Sequence, residues 1–339
     1  MDRREKIVSL CDLNGIGLEI GPSLRPVVPK RDGYNVETID HTDKKGLQEK
    51  YAAQGHHVAD IEEVDYIWNG ESYAELTGKK TYYDYIIASH IIEHTCDLVG
   101  FLRDCSDMLK ENGILSLAIP DKRYCFDYLR PVTGISKAID SHINRSAVHT
   151  PGNVYEYISK ICKSGTDIAW TSPHPPVMIK PVHSIHDAKN AYNESLNQSE
   201  YIDIHNWVFT KSSFELLIYD LNCLGFIDMR IAASFDTSEH EFIVSLIKKK
   251  EPFMPDDDEH FKLAVKAHLE CDPLDPEDIF LKKQLIAFED HLAGKEARIK
   301  TLEKQLTEIY ESFSWRIVNK LQKIFGIFNR KNQRVKGNK

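Results

Sequence analysis

The sequence predicts an α/β protein, a doubly wound, mostly parallel seven-stranded sheet with an antiparallel edge strand, followed by a C-terminal coiled-coil helix. Three observations carry this expectation. Up to residue 125, short apolar runs alternate with helical patterns, as parallel strands covered by helices require. Between 227 and 247, two more apolar runs flank a polar turn and read as a hairpin at the sheet edge. Beyond 280, apolar residues recur at strict heptad spacing.

The elements follow in order. Ile16 to Ile20 is the first strand, ended by Gly21-Pro22, and Val36 to Ile39 the second, ended by Asp40. A polar helix (44–54) leads to a third strand, Val64 to Trp68, and Tyr82 to Ala88 is the fourth. Leu98 to Leu109 places apolar residues at 98, 101, 102, 105, 108 and 109, one face of a helix. Asn112-Gly113 turns into a fifth strand, Ile114 to Ile119, stopped by Pro120. The stretch 126–206 is rich in Pro, His, Asn and Ser, with short helices near 135–144, 154–162 and 184–197. It reads as a substrate-side insertion or lid. Lys211 to Leu224 is an amphipathic helix beginning at Ser212/Ser213, and strands Ile227 to Ala233 and Phe242 to Ile247 close a domain of residues 1–250.

Prolines and acidic residues make 251–276 a linker with a short helix inside. From 277 to 312, Leu285, Leu292, Ile299, Leu306 and Phe313 share one heptad position. Leu281, Phe288, Lys295, Leu302 and Ile309 share the other. So narrow a stripe seeks partner helices, and a homodimer or homotrimer is expected. Residues 313–330 form a basic amphipathic helix suited to an anionic membrane surface or a partner protein, and 331–339 a disordered basic tail.

Composition narrows the function. Of 339 residues, 42% are hydrophobic and 28% charged, which suits a globular protein. The net charge of −9 includes eight basic residues and no acid after Ser312, so the remainder carries about −17 and does not suit nucleic acid. The seven scattered cysteines have no zinc-site spacing, so reduced thiols and no metal are expected. The opening MDRREKIVSLCDLNG lacks the apolar run of a signal peptide, and no stretch approaches the roughly 20 apolar residues of a spanning helix. The expected location is cytoplasmic, with peripheral contact at the inner face of the cell membrane.

The chemistry starts at Gly17-Leu18-Glu19-Ile20-Gly21-Pro22-Ser23, followed by Asp40 at the tip of the next strand. A glycine turn after the first strand admits a ligand close to the backbone, and an acid about 20 residues on can accept both hydroxyls of a ribose. The full GxGxxG pattern of a dinucleotide site is absent, which disfavours NAD. Next comes Tyr83-Asp84-Tyr85-Ile86-Ile87-Ala88-Ser89-His90-Ile91-Ile92-Glu93-His94, then Asp97, then Leu109-Lys110-Glu111-Asn112-Gly113-Ile114-Leu115, then Pro120. This series resembles the class I S-adenosylmethionine-dependent methyltransferases of the "methyltransferase 11" type, with Asn112 in place of a glycine. The likeness covers about residues 14–125 and, more loosely, 205–248.

The resemblance implies a Rossmann-like fold and S-adenosylmethionine as cofactor. Glu19, Gly21, Pro22 and Ser23 would lie against its methionine half, and Asp40 would take the ribose hydroxyls. Trp68 and Asn69 would flank the adenine, with Ala88, Ser89 and His90 beside the sulfonium. Glu93 and His94 read as residues that set the following helix. A hydroxyl acceptor gains from a general base, and the candidates are His205, in His205-Asn206-Trp207, His142 and His149. Asp121, Lys122, Arg123, Tyr124 and Arg130 could bind a phosphate or acidic sugar. Ser312-Phe313-Ser314-Trp315-Arg316-Ile317 after a coiled coil is similar to tails on enzymes of bacterial polysaccharide loci, as is Pro120-Asp121-Lys122-Arg123-Tyr124-Cys125-Phe126-Asp127. O-methylation of a surface glycan is the leading expectation. A small-metabolite methyltransferase and an inactive coiled-coil scaffold are the alternatives.

Overall fold

Each apolar run ahead of residue 125 becomes a strand in the computed structural model, which describes residues 1–173, 175–197, 201–271 and 279–311, with 317, 320 and 321. The strands are β1 (Gly17–Ile20), β2 (Val36–Asp40), β3 (Tyr66–Ile67), β4 (Tyr83–Ser89) and β5 (Leu109–Pro120). After them come a small separate pair, β6 (Cys162–Ser164) and β7 (Ile179–Pro181), then β8 (Met229–Ser238) and β9 (Glu241–Lys248). The large sheet has the order β3-β2-β1-β4-β5-β9-β8. Strands β1 to β5 are parallel, β9 is antiparallel to β5, and β8 is antiparallel to β9. The antiparallel strand is therefore the penultimate one. The expected antiparallel hairpin at the sheet edge is present, and the turn at 239–240 places its second strand between β5 and the first. Only two residues of the third expected strand pair, Tyr66 with Ile39 and Ile67 with Asp40.

Two layers cover the sheet because side chains alternate along each strand. On one face Ile86 and Ala88 join Leu18, Leu115 and Leu117 under α4 (Leu98–Met108) and α8 (Lys211–Cys223). On the other, Tyr85 and Ile87 meet Ile114, Ala118, Val27 and Ile7 of α1 (Arg3–Val8). Helix α1 escaped sequence detection because six residues span too few turns to show periodicity. Its Asp2–Glu5 capping box and buried Ile7 hold it. Gly17 is fixed by close packing, since a Cβ there would lie 2.2 Å from the Tyr85 ring.

The helices α2 (Lys44–Ala53) and α3 (Tyr73–Thr77) complete the first half. The insertion holds α5 (Ile135–Ile143), α6 (Pro151–Lys160) and α7 (Ile185–Ser195). Its ends meet: Asp121 bridges Phe209, and Lys122 N–H donates to the Phe209 carbonyl at 2.9 Å. Within 251–276, α9 (Asp257–Cys271) is docked on α8 through Ser212 to Glu270 and Tyr219 to Asp256, with Val265 and Ala267 buried. Most of the expected linker thus belongs to the domain, which ends near Leu274.

The second unit, from Asp275, contains the 33-residue helix α10 (Ile279–Glu311). Along it the heptad residues Ile299, Leu302, Leu306 and Ile309 are each about half exposed. The expected basic helix 313–330 lies almost wholly, and the tail 331–339 entirely, outside the described residues. Among the described residues no helix is long and apolar enough to cross a membrane.

Leu102 is fully buried where α4 meets the sheet. Leu102→Ala is expected to lower unfolding free energy by about 2–5 kcal/mol, read as a shifted midpoint in urea at unchanged slope.

Candidate active site

The strand order reverses between β1 and β4, and in open α/β sheets ligands bind at the carboxyl ends of strands flanking such a reversal. There β1 ends in Gly21 (φ 68°) and Ser23 (φ 46°), both left-handed. A Cβ on Gly21 would meet the Ile91 side chain at 2.3 Å, so glycine lets the turn lie against the segment after β4. Asp40, at the tip of β2, is turned toward this turn. Its Oδ2 accepts the Ser23 N–H at 3.1 Å, and its Oδ1 accepts the His41 N–H at 2.8 Å and lies 2.6 Å from the His41 ring. The carboxylate is 3% exposed, so His41 caps it against solvent.

Glu19 faces elsewhere. Its carboxylate accepts the N–H groups of Val27 (2.7 Å) and Val28 (3.1 Å) and is buried. It shapes the loop beyond Pro22 rather than presenting itself to a ligand, and burial raises its pKa to about 7 against the lowering effect of those amides. Trp68 N–H donates to the Asp40 carbonyl, and its ring meets Tyr73 and Tyr201 edge-on or tilted. Asn69 is exposed and bonds back to Ile67. Ala88 is fully buried in the core, which removes it from the expected sulfonium contact.

Beyond Ala88 the chain gathers charge. The Ser89 hydroxyl accepts from Arg3 at 2.7 Å. His90 adopts a left-handed φ of 56°, and its ring lies between two carboxylates, with Nε2 2.7 Å from Glu241 and Nδ1 3.2 Å from Glu93. Burial opposes its charge, but these two acids outweigh it and raise its pKa to about 9. Glu241 is correspondingly lowered to about 2, with His90 and Arg3 overcoming burial. Glu93 is fully buried, and its backbone carbonyl accepts the N–H groups of Asn206 and Trp207 at 2.7 and 3.1 Å. That pair of bonds brings His205 to the sheet edge. His205 Nδ1 bonds Asp127 Oδ2 at 2.5 Å, and its ring stands edge-on to His94 at 4.7 Å. His94 Nδ1 lies 2.8 Å from Asp203. One donor atom from each of Glu93, His94 and His205 lies within 4.8 Å of the others. The three come together because the insertion and the sheet edge contribute them from distant parts of the chain, a grouping that sequence spacing alone does not reveal.

The other two candidate bases do not join this cluster. His142 pairs with Asp97 at 2.9 Å and packs on Phe226. His149 sits against Cys96 and Tyr201, and burial with nearby Lys137 lowers its pKa to about 4, too weak a base near neutrality. The basic residues after β5 are also committed. Arg123 is held by Asp121 through Nε (2.9 Å) and Nη2 (2.6 Å), and Asp121 accepts from Thr237 as well. Arg130 is buried and bonds Asp127 at 2.7 Å. Arg123 is thus paired on both sides of its fork, while Arg130 is closed off by burial, with Nε and Nη2 left without hydrogen-bond partners among the described residues. Lys122 is half-buried, with a pKa lowered by desolvation, and the Tyr124 carbonyl accepts from Trp170.

Asp127, Asp203, Tyr201 and Glu241 had no sequence signal, since only folding places them beside the β4 end. The spacing His90-x-x-Glu93-His94 was the available clue: on one turn it gathers three titratable groups.

No protein-family model matches the chain, and no curated protein does. Among solved structures, the chain is similar to one described as a sarcosine dimethylglycine methyltransferase from Galdieria sulphuraria. Identity is 18%, over 39% of this chain and 49% of the other, with a TM-score of 0.25, so the chain spans about half of that relative. The CcbJ methyltransferase from Streptomyces caelestis matches at 10% identity, over 74% and 97%, with a TM-score of 0.38. A chain from Rhodobacter sphaeroides described as a Zn-dependent alcohol dehydrogenase matches at 10%, over 74% and 90%, with a TM-score of 0.40. Values this low carry no argument about activity, which rests on the site itself.

A histidine held charged by folding stabilises the native state. His90 titrates near 6.5 when unfolded and near 9 when folded, so its contribution is complete below pH 6.5 and is lost as pH rises through 9. His90→Asn, which tolerates the left-handed backbone, is expected to abolish the fall in urea midpoint between those values. An unchanged slope would show that His90 is not its source.

Proposed function

We propose that this chain transfers a methyl group from S-adenosylmethionine to an oxygen acceptor. The observation that carries the proposal is Asp40, turned toward the glycine turn of β1 at the reversal of the sheet. An acid there meets a ribose, and a short turn with one glycine suits a ligand lacking a pyrophosphate. Bound adenosine would displace His41 from Asp40, exchanging the His41 and Ser23 bonds for ribose hydroxyls. The methionine half would follow Gly21, Pro22 and Ser23 toward Ser89 and His90.

Transfer is an in-line displacement. The acceptor oxygen forms a bond to the methyl carbon as the carbon–sulfur bond breaks, its electron pair neutralises the sulfonium, and the hydroxyl proton leaves. The region for that proton is where Glu93, His94 and His205 converge, with Asp127 orienting the His205 ring.

The tail motif at 312–317 and the block 120–127 support a bacterial surface glycan as acceptor, at a hydroxyl or a phosphate. The half-exposed heptad residues of α10 support self-association as a dimer or trimer, and the basic residues after 315 support contact with an anionic membrane surface from the cytoplasmic side.

Calorimetry with S-adenosylhomocysteine is expected to show one site, and Asp40→Ala to weaken it by roughly tenfold or more, the value of hydrogen bonds to a charged group. No binding at millimolar ligand would remove the cofactor assignment. Radiolabel transfer from S-adenosylmethionine into purified surface glycan tests the acceptor.

A further inference from the structure

We propose that Glu93, His94 and His205 form a binding site for one divalent transition-metal ion, zinc or a close relative. Three features point to it. Their donor atoms already cluster within 4.8 Å. Glu93 is wholly buried, yet neither carboxylate oxygen accepts a hydrogen bond among the described residues. Its nearest cation is His90 Nδ1, 3.2 Å from Oε1 and out of hydrogen-bond alignment. Its one close cation is thus an imidazole shared with Glu241, which leaves a wholly buried carboxylate incompletely compensated, and a further cation is the partner that would complete it.

The third feature is how the two imidazoles are held. His205 Nδ1 is taken by Asp127, itself fixed by the buried Arg130, which leaves Nε2 for a ligand. His94 Nδ1 lies 2.8 Å from Asp203, while its Nε2 is the nitrogen 4.0 Å from Glu93 Oε1. Metal-binding histidines characteristically offer one nitrogen to the ion and the other to a carboxylate; His205 has that hydrogen bond, and His94 has a carboxylate within reach of Nδ1 without the hydrogen bond being formed. Two imidazoles and a carboxylate suit zinc, iron(II), cobalt(II) or manganese(II) rather than magnesium or calcium. The ligands come from both sides of the insertion boundary, Glu93 and His94 after β4 and His205 at its far end, so the ion would also pin the insertion to the sheet.

Three protein ligands leave coordination positions open. Its role in catalysis rests on the methyltransferase reading: an acceptor hydroxyl bound there would lose its proton more easily under the ion's charge. Metal binding itself does not rest on that reading, so the two can fail separately.

The test uses the full chain without a histidine tag, stripped by chelator and titrated with Zn2+ by calorimetry and with Co2+ by visible absorption. One equivalent should bind, with Co2+ showing d–d bands. His94→Ala and the isosteric Glu93→Gln should each weaken binding by about tenfold or more, and Asp127→Asn by a similar factor. His142→Ala, outside the cluster, should bind as the parent does. Circular dichroism of each stripped variant separates ligand loss from misfolding, and His94, the only partly exposed member of the three, is the position least open to that confusion. Absence of uptake at millimolar metal would overturn the proposal, as would parental affinity in both His94→Ala and Glu93→Gln. Full methyl transfer by chelator-treated protein that still depends on His205 would reassign the cluster as a metal-free base.

Discussion

Six carboxylates at or near the carboxyl edge of one sheet are almost entirely removed from water: Glu19, Asp40, Glu93, Asp121, Asp127 and Glu241. Burying so much negative charge is tolerable only where donors or cations meet each group, and the local structure follows from how that demand is met. Glu19 is answered by two backbone amides and thereby folds the loop after β1. Asp121 is answered by Arg123 and Thr237, and Asp127 by Arg130 and His205. Glu241 is answered by Arg3 and His90. Asp40 is satisfied by groups a ligand can replace, and Glu93 is the least satisfied. The two incompletely committed acids are therefore where binding is to be sought.

Much of this was legible in the sequence. Alternating apolar runs locate the parallel strands to within a few residues, because a strand buried on both faces must be continuously apolar. The turn at Gly21 and the acid at Asp40 were visible because backbone geometry and charge there depend on few residues. Strand order inside the β8–β9 hairpin was not, since either strand can pair with β5 without changing the alternation. Partner choice was equally hidden. Arg123 and Arg130 look like an anion-binding edge until folding sets Asp121 and Asp127 beside them. His94 looks like a helix-start residue until the insertion delivers His205 to it.

The same comparison explains why one histidine differs from another. His205 and His149 both lie in the insertion, yet Asp127 holds the first, while the second has Lys137 and little water. What a histidine can hold or touch follows from neighbours brought by the fold, so a list of histidines has little content before those neighbours are known.

The insertion leaves β5 and rejoins the domain at Phe209, with its two ends side by side through the Asp121–Phe209 bridge. A segment anchored in this way behaves like a removable cassette: its length and content can vary while both attachment points stay a strand's width apart. The segment's surface can thus be remodelled while the half of the sheet bearing Gly21 and Asp40 is left untouched.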